Sequence, residues 1–184
     1  QELFRLERRA SFQRFTELLL AQSGGLFEAT RFSAPCEVSR PTIASYLSVL
    51  EATGVMLVIR PFSSRRSHEI IAAPKVYGFD TGFVCAHRGW TELRREDLGR
   101  LWEHFVLNEI LAHTQSSAVR YWRDKQGHEV DFVWSPRRGP LLALGGKWSA
   151  RDFDPAGLLA FARNYPKAKL LVVATDAAPS FKRD

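Results

Sequence analysis

The sequence is poor in the features that mark secreted, membrane and metal-binding proteins. Its two cysteines, Cys36 and Cys85, lie far apart without metal-ligand spacing, so we expect reduced thiols in a cytoplasmic protein. No apolar run approaches the ~20 residues that span a bilayer, and the first ten residues are too charged for a signal peptide. The sequence has no initiator methionine, which predicts a fragment of a longer protein.

A Walker-type phosphate-binding loop is also absent. The nearest stretch, before Lys147, has Leu141 where the first glycine is required and Trp148 where serine or threonine is required. We therefore expect no ATP site in these residues. The five histidines show no metal-ligand spacing.

What the sequence does contain is enough apolar material for a folded core. Of its 184 residues, 45% are hydrophobic and 12% aromatic, which predicts one large domain or two small ones. The net charge of +6 is compatible with a nucleic-acid partner. An ordinary arginine-rich composition explains the charge equally well, so charge alone decides little.

The first part of the chain predicts three helices. Apolar residues recur at helical spacing between Phe12 and Leu19, and the Gly24-Gly25 pair ends that helix. A short helix is predicted near Phe27–Ala34. Ser39 can cap a third helix, which Gly54 ends.

A β-hairpin is predicted to follow these helices, because the β-rich runs VMLVIRPF and IIAAPKVYGF flank the polar turn SSRRSHE. Three helices and a hairpin are typical of a winged helix, so we assign residues 1–79 to a winged-helix-like domain. The candidate nucleic-acid contacts lie on the third helix and at the hairpin tip: Arg40, Thr42, Ser45, Arg65 and Arg66. Many winged helices bind proteins instead, and a polar helix face is usually just solvated, so this alternative stays open.

The second part predicts a separate α/β domain. Residues 80–95 have the mixed composition of a connector, and a long amphipathic helix is predicted from Glu96 to Gln115. The runs AVRYWRD, HEVDFVW and LLALGGKW predict three strands, and Asp154 with Pro155 predicts a helix start. The final run KLLVVAT predicts a strand buried on both faces. The expected fold class is therefore α/β (α+β overall), with an αβββαβ domain over residues 96–184.

An acid and a lysine in these strands suggest a site. Side chains alternate along a strand, so a hairpin of the second and third strands can bring Asp131 and Lys147 toward one point. A helix acid, Glu103 or Glu109, can complete the cluster. Carboxylates of this kind hold Mg²⁺, which polarises a phosphodiester and activates water, while lysine stabilises the developing charge.

Several longer motifs carry a specific resemblance. The runs SRPTIASYLSVLEATGV, RPFSSRRSHEIIAAPKVYGFDTGF, LGRLWEHFVLNEILAH, YWRDKQGHEVDFV and LLALGGKWSA occur in this order. Over nearly the whole chain the sequence resembles the C-terminal region, domain of unknown function 4143, of a prokaryotic family of predicted AAA-type ATPases. This resemblance implies a PD-(D/E)xK restriction-endonuclease-like fold in the second half and an ATPase domain preceding it. Any ATP would then bind through that N-terminal domain.

The resemblance also assigns the site residues. The strand acid of the PD-(D/E)xK pattern matches Asp131, its lysine matches Lys147, and its helix acid matches Glu103, with Glu109 as second choice; Asp131, Glu103 and Glu109 are then the metal ligands. The remaining glutamate falls on Gly145, which has no carboxylate. Losing that ligand predicts weak binding of Mg²⁺ or Mn²⁺ and weak or absent cleavage.

The expected function is therefore a nucleic-acid-binding or regulatory one with a degraded nuclease-like site. The expected partners are DNA and the ATPase domain of the parent chain, with no membrane, and an oligomer stays open. One alternative is an active Mg²⁺- or Mn²⁺-dependent DNA nuclease. Another is a protein-interaction or assembly module that binds no nucleic acid.

Overall fold

The computed structural model describes residues 2–62, 73–115 and 118–176. These residues form six α-helices and seven strands that pair both parallel and antiparallel, so the fold is mixed α/β. None of the helices in these ranges is long and apolar enough to cross a membrane. The chain divides into two compact units, one of Gln1–Val58 with Ala73–Glu92 and one of Ile59–Ala72 with Leu93–Asp184.

The first unit contains four helices and three strands, the first strand lying between the first two helices in the chain. Its elements are α1 (Glu2–Ala21), β1 (Gly25–Leu26), α2 (Ala29–Ser33), α3 (Arg40–Ala52), the first half of β2 (Met56–Pro61), β3 (Lys75–Gly78) and α4 (Thr81–Arg88). Strand β3 lies between β1 and β2, and it pairs with β1 antiparallel. The predicted hairpin tip with Arg65 and Arg66 lies outside the described residues.

Helix α3 begins and packs as the sequence predicts. The Ser39 hydroxyl accepts a hydrogen bond from the Thr42 amide, and a proline occupies the first turn. Ile43, Leu47 and Leu50 are buried on one face, where they join the core of the first unit. These boundaries were predictable because cap, proline and apolar spacing agree with one another.

Helix α4 lies inside the segment predicted as a connector. The Asp80 carboxylate accepts hydrogen bonds from the Gly82 and Phe83 amides at 2.7 and 3.2 Å, which caps the helix start. Gly89 ends the helix in a left-handed conformation, with φ of 65°. Val84 is fully buried in the core of the first unit. Sequence patterning missed this helix because Val84 is the one residue of α4 that is buried.

The second unit has the predicted order of helix, three strands, helix and strand. Its elements are α5 (Arg95–Thr114), β4 (Val119–Arg123), β5 (Glu129–Trp134), β6 (Leu142–Gly146), a 3₁₀ turn (Ala150–Asp152), α6 (Ala156–Asn164) and β7 (Lys169–Val173). The end of β2 pairs with β4 in parallel, β4 with β5 and β5 with β6 antiparallel, and β6 with β7 in parallel. Both antiparallel and parallel pairings therefore occur in this sheet.

Helices α5 and α6 cover opposite faces of this sheet. A side chain at Gly145 would point toward Leu158 of α6, whereas a side chain at Gly146 would point toward Trp102 and Val106 of α5. Successive residues of a strand face opposite sides, so the two helices lie on opposite sides of β6. Close to α6, Trp122, Val133 and Phe161 form the centre of a core cluster.

The prediction that the last strand is buried on both faces is wrong. Among the described strands β7 pairs with β6 alone, and Leu170, Leu171 and Val172 are 37%, 42% and 38% exposed. A continuous apolar run is typical of a central parallel strand, but the same run here forms the edge strand. Composition does not distinguish the two positions, because it does not report how many neighbours a strand has.

Candidate functional site

The β5–β6 hairpin holds the predicted acid and lysine. The two strands pair with Phe132 opposite Leu144 and Val133 opposite Ala143. One step further along this register lies Asp131, opposite Gly145. Lys147 follows directly after β6, and its amide donates to the Val173 carbonyl at 3.0 Å, which fixes the backbone there to β7.

An irregularity in β5 occurs at the acid itself. Between the pairs Val133–Arg120 and Val130–Trp122, strand β5 advances by three residues while β4 advances by two. Asp131 and Phe132 together therefore oppose one residue of β4, which is the arrangement of a β-bulge. Bulges re-aim side chains and are frequent beside active sites, so Asp131 does not follow the simple alternation assumed from the sequence.

Asp131, Gly145 and Lys147 line one pocket of about 270 Å³, here called the hairpin pocket. The half-buried carboxylate of Asp131 accepts a hydrogen bond from the Gly146 amide at 2.8 Å. The Lys147 side chain is half-buried, and its ammonium makes no ion pair or hydrogen bond with another residue in the described ranges. The strand acid and the lysine of the predicted site thus share a pocket.

An aromatic ring occupies the position beside Gly145. A Cβ at residue 145 would lie 3.1 Å from Cε2 of Phe153 and 3.8 Å from Leu158. The first distance is tighter than ordinary van der Waals contact, so the ring must shift before any side chain fits there. The position of the missing carboxylate of the PD-(D/E)xK pattern is therefore bordered by the Phe153 ring.

Two further carboxylates line the hairpin pocket, and each already has a partner. Glu129 lies 3.8 Å from the guanidinium of Arg123. Asp154 accepts a hydrogen bond from the Ala156 amide at 2.9 Å, at the start of α6. Helix α6 also approaches β5 closely, since a Cβ at Gly157 would collide with the Glu129 carbonyl oxygen.

His128 enters the pocket from the turn between β4 and β5. Its Nδ1 lies 2.7 Å from a carboxylate oxygen of Asp124. The other oxygen of Asp124 accepts from the Gln126 and His128 amides, both at 2.9 Å. Asp124 is 7% exposed, so this network fixes both the turn and the orientation of the imidazole ring.

The predicted helix acids lie outside the hairpin pocket. Glu103 of α5 is half-buried and lines neither this pocket nor the groove on the other face of the sheet. Glu109 is exposed and lines that groove, an apolar cleft of about 300 Å³ between α5 and the β6–β7 edge. The lining of this apolar groove includes Phe105, Trp134 and Leu144.

The donor set of the hairpin pocket does not fit a divalent cation. Mg²⁺ and Mn²⁺ prefer several oxygen ligands around one point. Within the described ranges, no group of three or more histidine, cysteine, aspartate or glutamate side chains is arranged to hold a metal ion. Residue 145, the pattern's second carboxylate position, is a glycine beside the Phe153 ring, while Glu129 faces Arg123 and Asp154 caps the start of α6.

The candidate contacts on α3 are spread along its exposed start. Arg40 is exposed, whereas the Thr42 hydroxyl lies 2.9 Å from the Ser39 hydroxyl. Ser45 is exposed and donates its hydroxyl hydrogen to the Pro41 carbonyl at 3.0 Å. Phosphate oxygens are acceptors, so Ser45 would have to give up this bond to donate to DNA.

Two groups outside the pocket have shifted ionisation. Hydrogen bonds from the Ala150 amide and the Ser149 hydroxyl, each 2.7 Å long, lower the pKa of Asp176. The ionised carboxylate therefore tethers the loop between β6 and α6, and this tether weakens as the pH falls through the lowered pKa. Burial raises the pKa of the Cys36 thiol above its ordinary value.

Sequence reasoning missed Phe153, His128 and Asp124. Asp124 was within reach, because an aspartate three residues before Gly127 is typical of a turn in which the carboxylate caps backbone amides. Phe153 carried no signal. An aromatic residue shortly before a helix start is ordinary, and its contact with Gly145 exists only in the folded chain.

Comparison with known proteins gives family relationships without an activity. Residues 98–184 match the domain of unknown function DUF4143, and residues 1–94 match the domain of unknown function DUF8612. The family expected from the sequence therefore covers the second part of the chain, and a different family covers the first. No solved structure matches the chain.

Two mycobacterial proteins are similar over part of their length. Uncharacterized protein Rv2008c of Mycobacterium tuberculosis and uncharacterized protein Mb2031c of Mycobacterium bovis are each 28% identical over 127 residues. The match covers 67% of this chain and 29% of each relative, so the chain spans less than a third of the curated relatives it matches. The chain belongs to the DUF8612 family through residues 1–94, and this region is followed by a DUF4143 match over residues 98–184.

Proposed function

We propose that this chain is a nucleic-acid-binding module whose second unit has the architecture of a PD-(D/E)xK nuclease but does not cleave. The observation that carries the proposal is the contact of Phe153 with Gly145 in the pocket that holds Asp131 and Lys147. The order of elements, αβββαβ, and the β5–β6 hairpin support the resemblance to nucleases. The first unit would act as a winged helix.

Loss of cleavage follows from the chemistry of the pocket. Hydrolysis of a phosphodiester in this way needs a cation that polarises the phosphate and lowers the pKa of a bound water. Gly145 offers no ligand, and a side chain in its place would need the Phe153 ring to shift. Without a cation, the carboxylates of Asp131, Glu129 and Asp154 outnumber the one ammonium in the pocket, that of Lys147, which disfavours a phosphate there.

We propose further that the module works together with an ATPase domain on the same polypeptide. The curated relatives are more than three times as long as the segment that matches, which leaves room for such a domain. ATP hydrolysis would then occur outside these residues, and the module would bind nucleic acid or regulate the ATPase.

The test is binding and cleavage measured on the same labelled DNA in the presence of Mg²⁺ or Mn²⁺. We expect salt-dependent binding and recovery of full-length DNA, because phosphate contacts release counterions. Asp131→Ala and Lys147→Ala serve as controls. Cleavage that the wild type performs and both variants lose would overturn the proposal in favour of an active nuclease. Equal cleavage by all three proteins would indicate a contaminating enzyme.

A second candidate function is assembly with another protein, and a specific observation favours it. The α5 side of the second unit exposes Phe105 (49%) and Trp148 (37%), both beside Trp102, and the apolar edge strand β7 is exposed as well. Exposed apolar surface of this kind often marks an interface. Light scattering distinguishes this candidate: a defined oligomer that binds no DNA at low salt supports assembly, whereas a DNA-binding monomer contradicts it.

A further inference from the structure

The end of the second unit's sheet that lies away from the hairpin pocket gathers basic residues. Strand registers place Val119, Trp134, Leu142 and Lys169 in one row across β4, β5, β6 and β7. Strand β5 ends and β6 begins at this row, so the loop between them lies at this end of the sheet. The loop that follows α6 also lies there, because β7 begins at the same row. We call the basic residues at this end the basic rim: Arg137 and Arg138 of the β5–β6 loop, Arg163 near the end of α6, Lys167 of the loop that follows, and Lys169, the first residue of β7.

Acidic residues are absent from the segments that build this end. From Phe132 to Ala150, and from Pro155 to Val173, the sequence contains no aspartate or glutamate. The same holds from Ile110 to Arg123, a stretch that includes the end of α5 and all of β4. The nearest acid on α5 is Glu109, which lies 3.7 Å from His113 of the same helix. Positive charge is therefore not balanced locally.

The rim side chains are also available to a partner. All five residues of the basic rim are exposed. Among the described residues, none forms an ion pair or a side-chain hydrogen bond with a rim side chain. By contrast, Arg14 of the first unit pairs with Glu37 at 3.0 Å and Arg31 with Glu28 at 3.2 Å.

We propose that the basic rim binds the phosphate backbone of nucleic acid, and this rests on the nucleic-acid binding proposed above. Arginine and lysine side chains gathered at one end of a sheet match a polyanion in charge, and they contact phosphates without reading bases. The rim supplies the attraction that the acid-lined hairpin pocket lacks. Binding through it is therefore independent of sequence.

The rim and the hairpin pocket lie at opposite ends of the same strands. From Leu142 at the rim end to Lys147 at the pocket, β6 extends by five residues, which corresponds to about 16 Å at ~3.3 Å per residue. A strand of nucleic acid held at the rim therefore need not enter the pocket. Substitutions at the two places should have separable effects on binding.

The experiment measures the affinity of the whole chain for a short fluorescent DNA duplex over a range of salt concentrations. We compare the wild type with two double variants, Arg137→Ala with Arg138→Ala and Lys167→Ala with Lys169→Ala. Each lost phosphate contact is expected to reduce the slope of log affinity against log salt by about 0.9. Each double variant should therefore bind roughly tenfold more weakly at low salt, and more weakly to every duplex sequence alike.

A matched control removes the same amount of charge elsewhere. Arg14→Ala with Arg31→Ala deletes two exposed, ion-paired arginines of the first unit and should leave affinity and slope close to those of the wild type. Circular dichroism and melting temperature confirm that every variant is folded.

The outcomes separate this inference from the proposed function. Wild-type protein that binds no DNA at low salt overturns both. If the wild type binds DNA and the rim variants equal it in affinity and slope, the proposed role of the basic rim is wrong, but the proposed nucleic-acid-binding function is not contradicted. The rim is also wrong if the control variant loses as much binding as the rim variants, or if rim variants lose affinity for anionic vesicles but keep it for DNA.

Discussion

Two glycines shape the hairpin pocket, and they do so for different reasons. Gly145 leaves room for the ring of Phe153, whereas Gly157 allows α6 to approach the backbone of β5. A ring can rotate or be removed by substitution, but a backbone carbonyl cannot. The steric clash of a side chain at residue 145 can therefore be relieved by movement of the Phe153 ring. The clash at residue 157 cannot be relieved in this way, because it is with the backbone.

Gly157→Ala should destabilise the protein strongly. The added Cβ would collide with the Glu129 carbonyl oxygen, so α6 must move away from the sheet. We expect a loss of about 3 kcal/mol or more in the free energy of unfolding, measured by urea denaturation.

Gly99→Ala is the matched control, because Gly99 also lies in a helix but has open space around it. This substitution should stabilise the protein by up to about 1 kcal/mol through helix propensity. Equal stabilities of the two variants would contradict the close approach of α6 to β5.

The two thiols should differ in reactivity. Cys36 is fully buried with a raised pKa, whereas Cys85 is half-buried. Since the thiolate is the nucleophile, a maleimide should label Cys85 in the native protein and Cys36 only after denaturation. Mass spectrometry of labelled peptides measures the order, and native labelling of Cys36 ahead of Cys85 would contradict the packing of the first unit.

Among the secondary-structure elements, those with several agreeing signals were predictable. Cap, proline and apolar spacing fixed α3, and alternation with turn residues fixed the β5–β6 hairpin. Helix α4 and the exposure of β7 were not predictable, because α4 buries one residue and strand order is a property of the whole sheet. The site followed the same rule: Asp131 and Lys147 came from local pattern, but Phe153 came from a tertiary contact.

The N-cap of α4 gives a prediction for that missed helix. Asp80→Ala removes the acceptor for two backbone amides and should cost about 1 kcal/mol of stability. Asp80→Asn keeps an oxygen acceptor, so its loss should be only a few tenths of a kcal/mol. Both values are measurable by urea denaturation, and a neutral Asp80→Ala would argue that α4 does not depend on this cap.

The pairing of β7 gives a prediction for hydrogen exchange. In a parallel edge strand, alternate peptide groups bond the neighbouring strand, and here Lys169 and Val173 bond residues of the β6 side. The amides of Leu170 and Val172 should therefore exchange quickly, and that of Leu171 slowly, in an NMR exchange experiment. Slow exchange of all of them would indicate that a partner covers this edge and would favour the assembly function.

For the whole molecule, the net charge of +6 is less informative than where the charge lies. The pocket end of the second unit carries Asp131, Glu129 and Asp154, while the other end carries the basic rim. In our proposal, the surface that attracts nucleic acid and the nuclease-like pocket are thus separated along the strands. The chain would then keep nucleic-acid binding without cleavage.

The most direct test of that claim is calorimetric titration of Mn²⁺ into the wild type and into the variant that combines Gly145→Glu with Phe153→Ala. The double variant restores the absent carboxylate and removes the ring that blocks it, so it should bind Mn²⁺ at least tenfold more tightly than the wild type. Gly145→Glu alone should bind less tightly than the double variant, because its Cβ would lie 3.1 Å from Phe153 and the ring must shift to admit it. Wild-type protein that binds Mn²⁺ as tightly as the double variant, with binding lost in Asp131→Ala, would contradict the claim that this site has lost its metal.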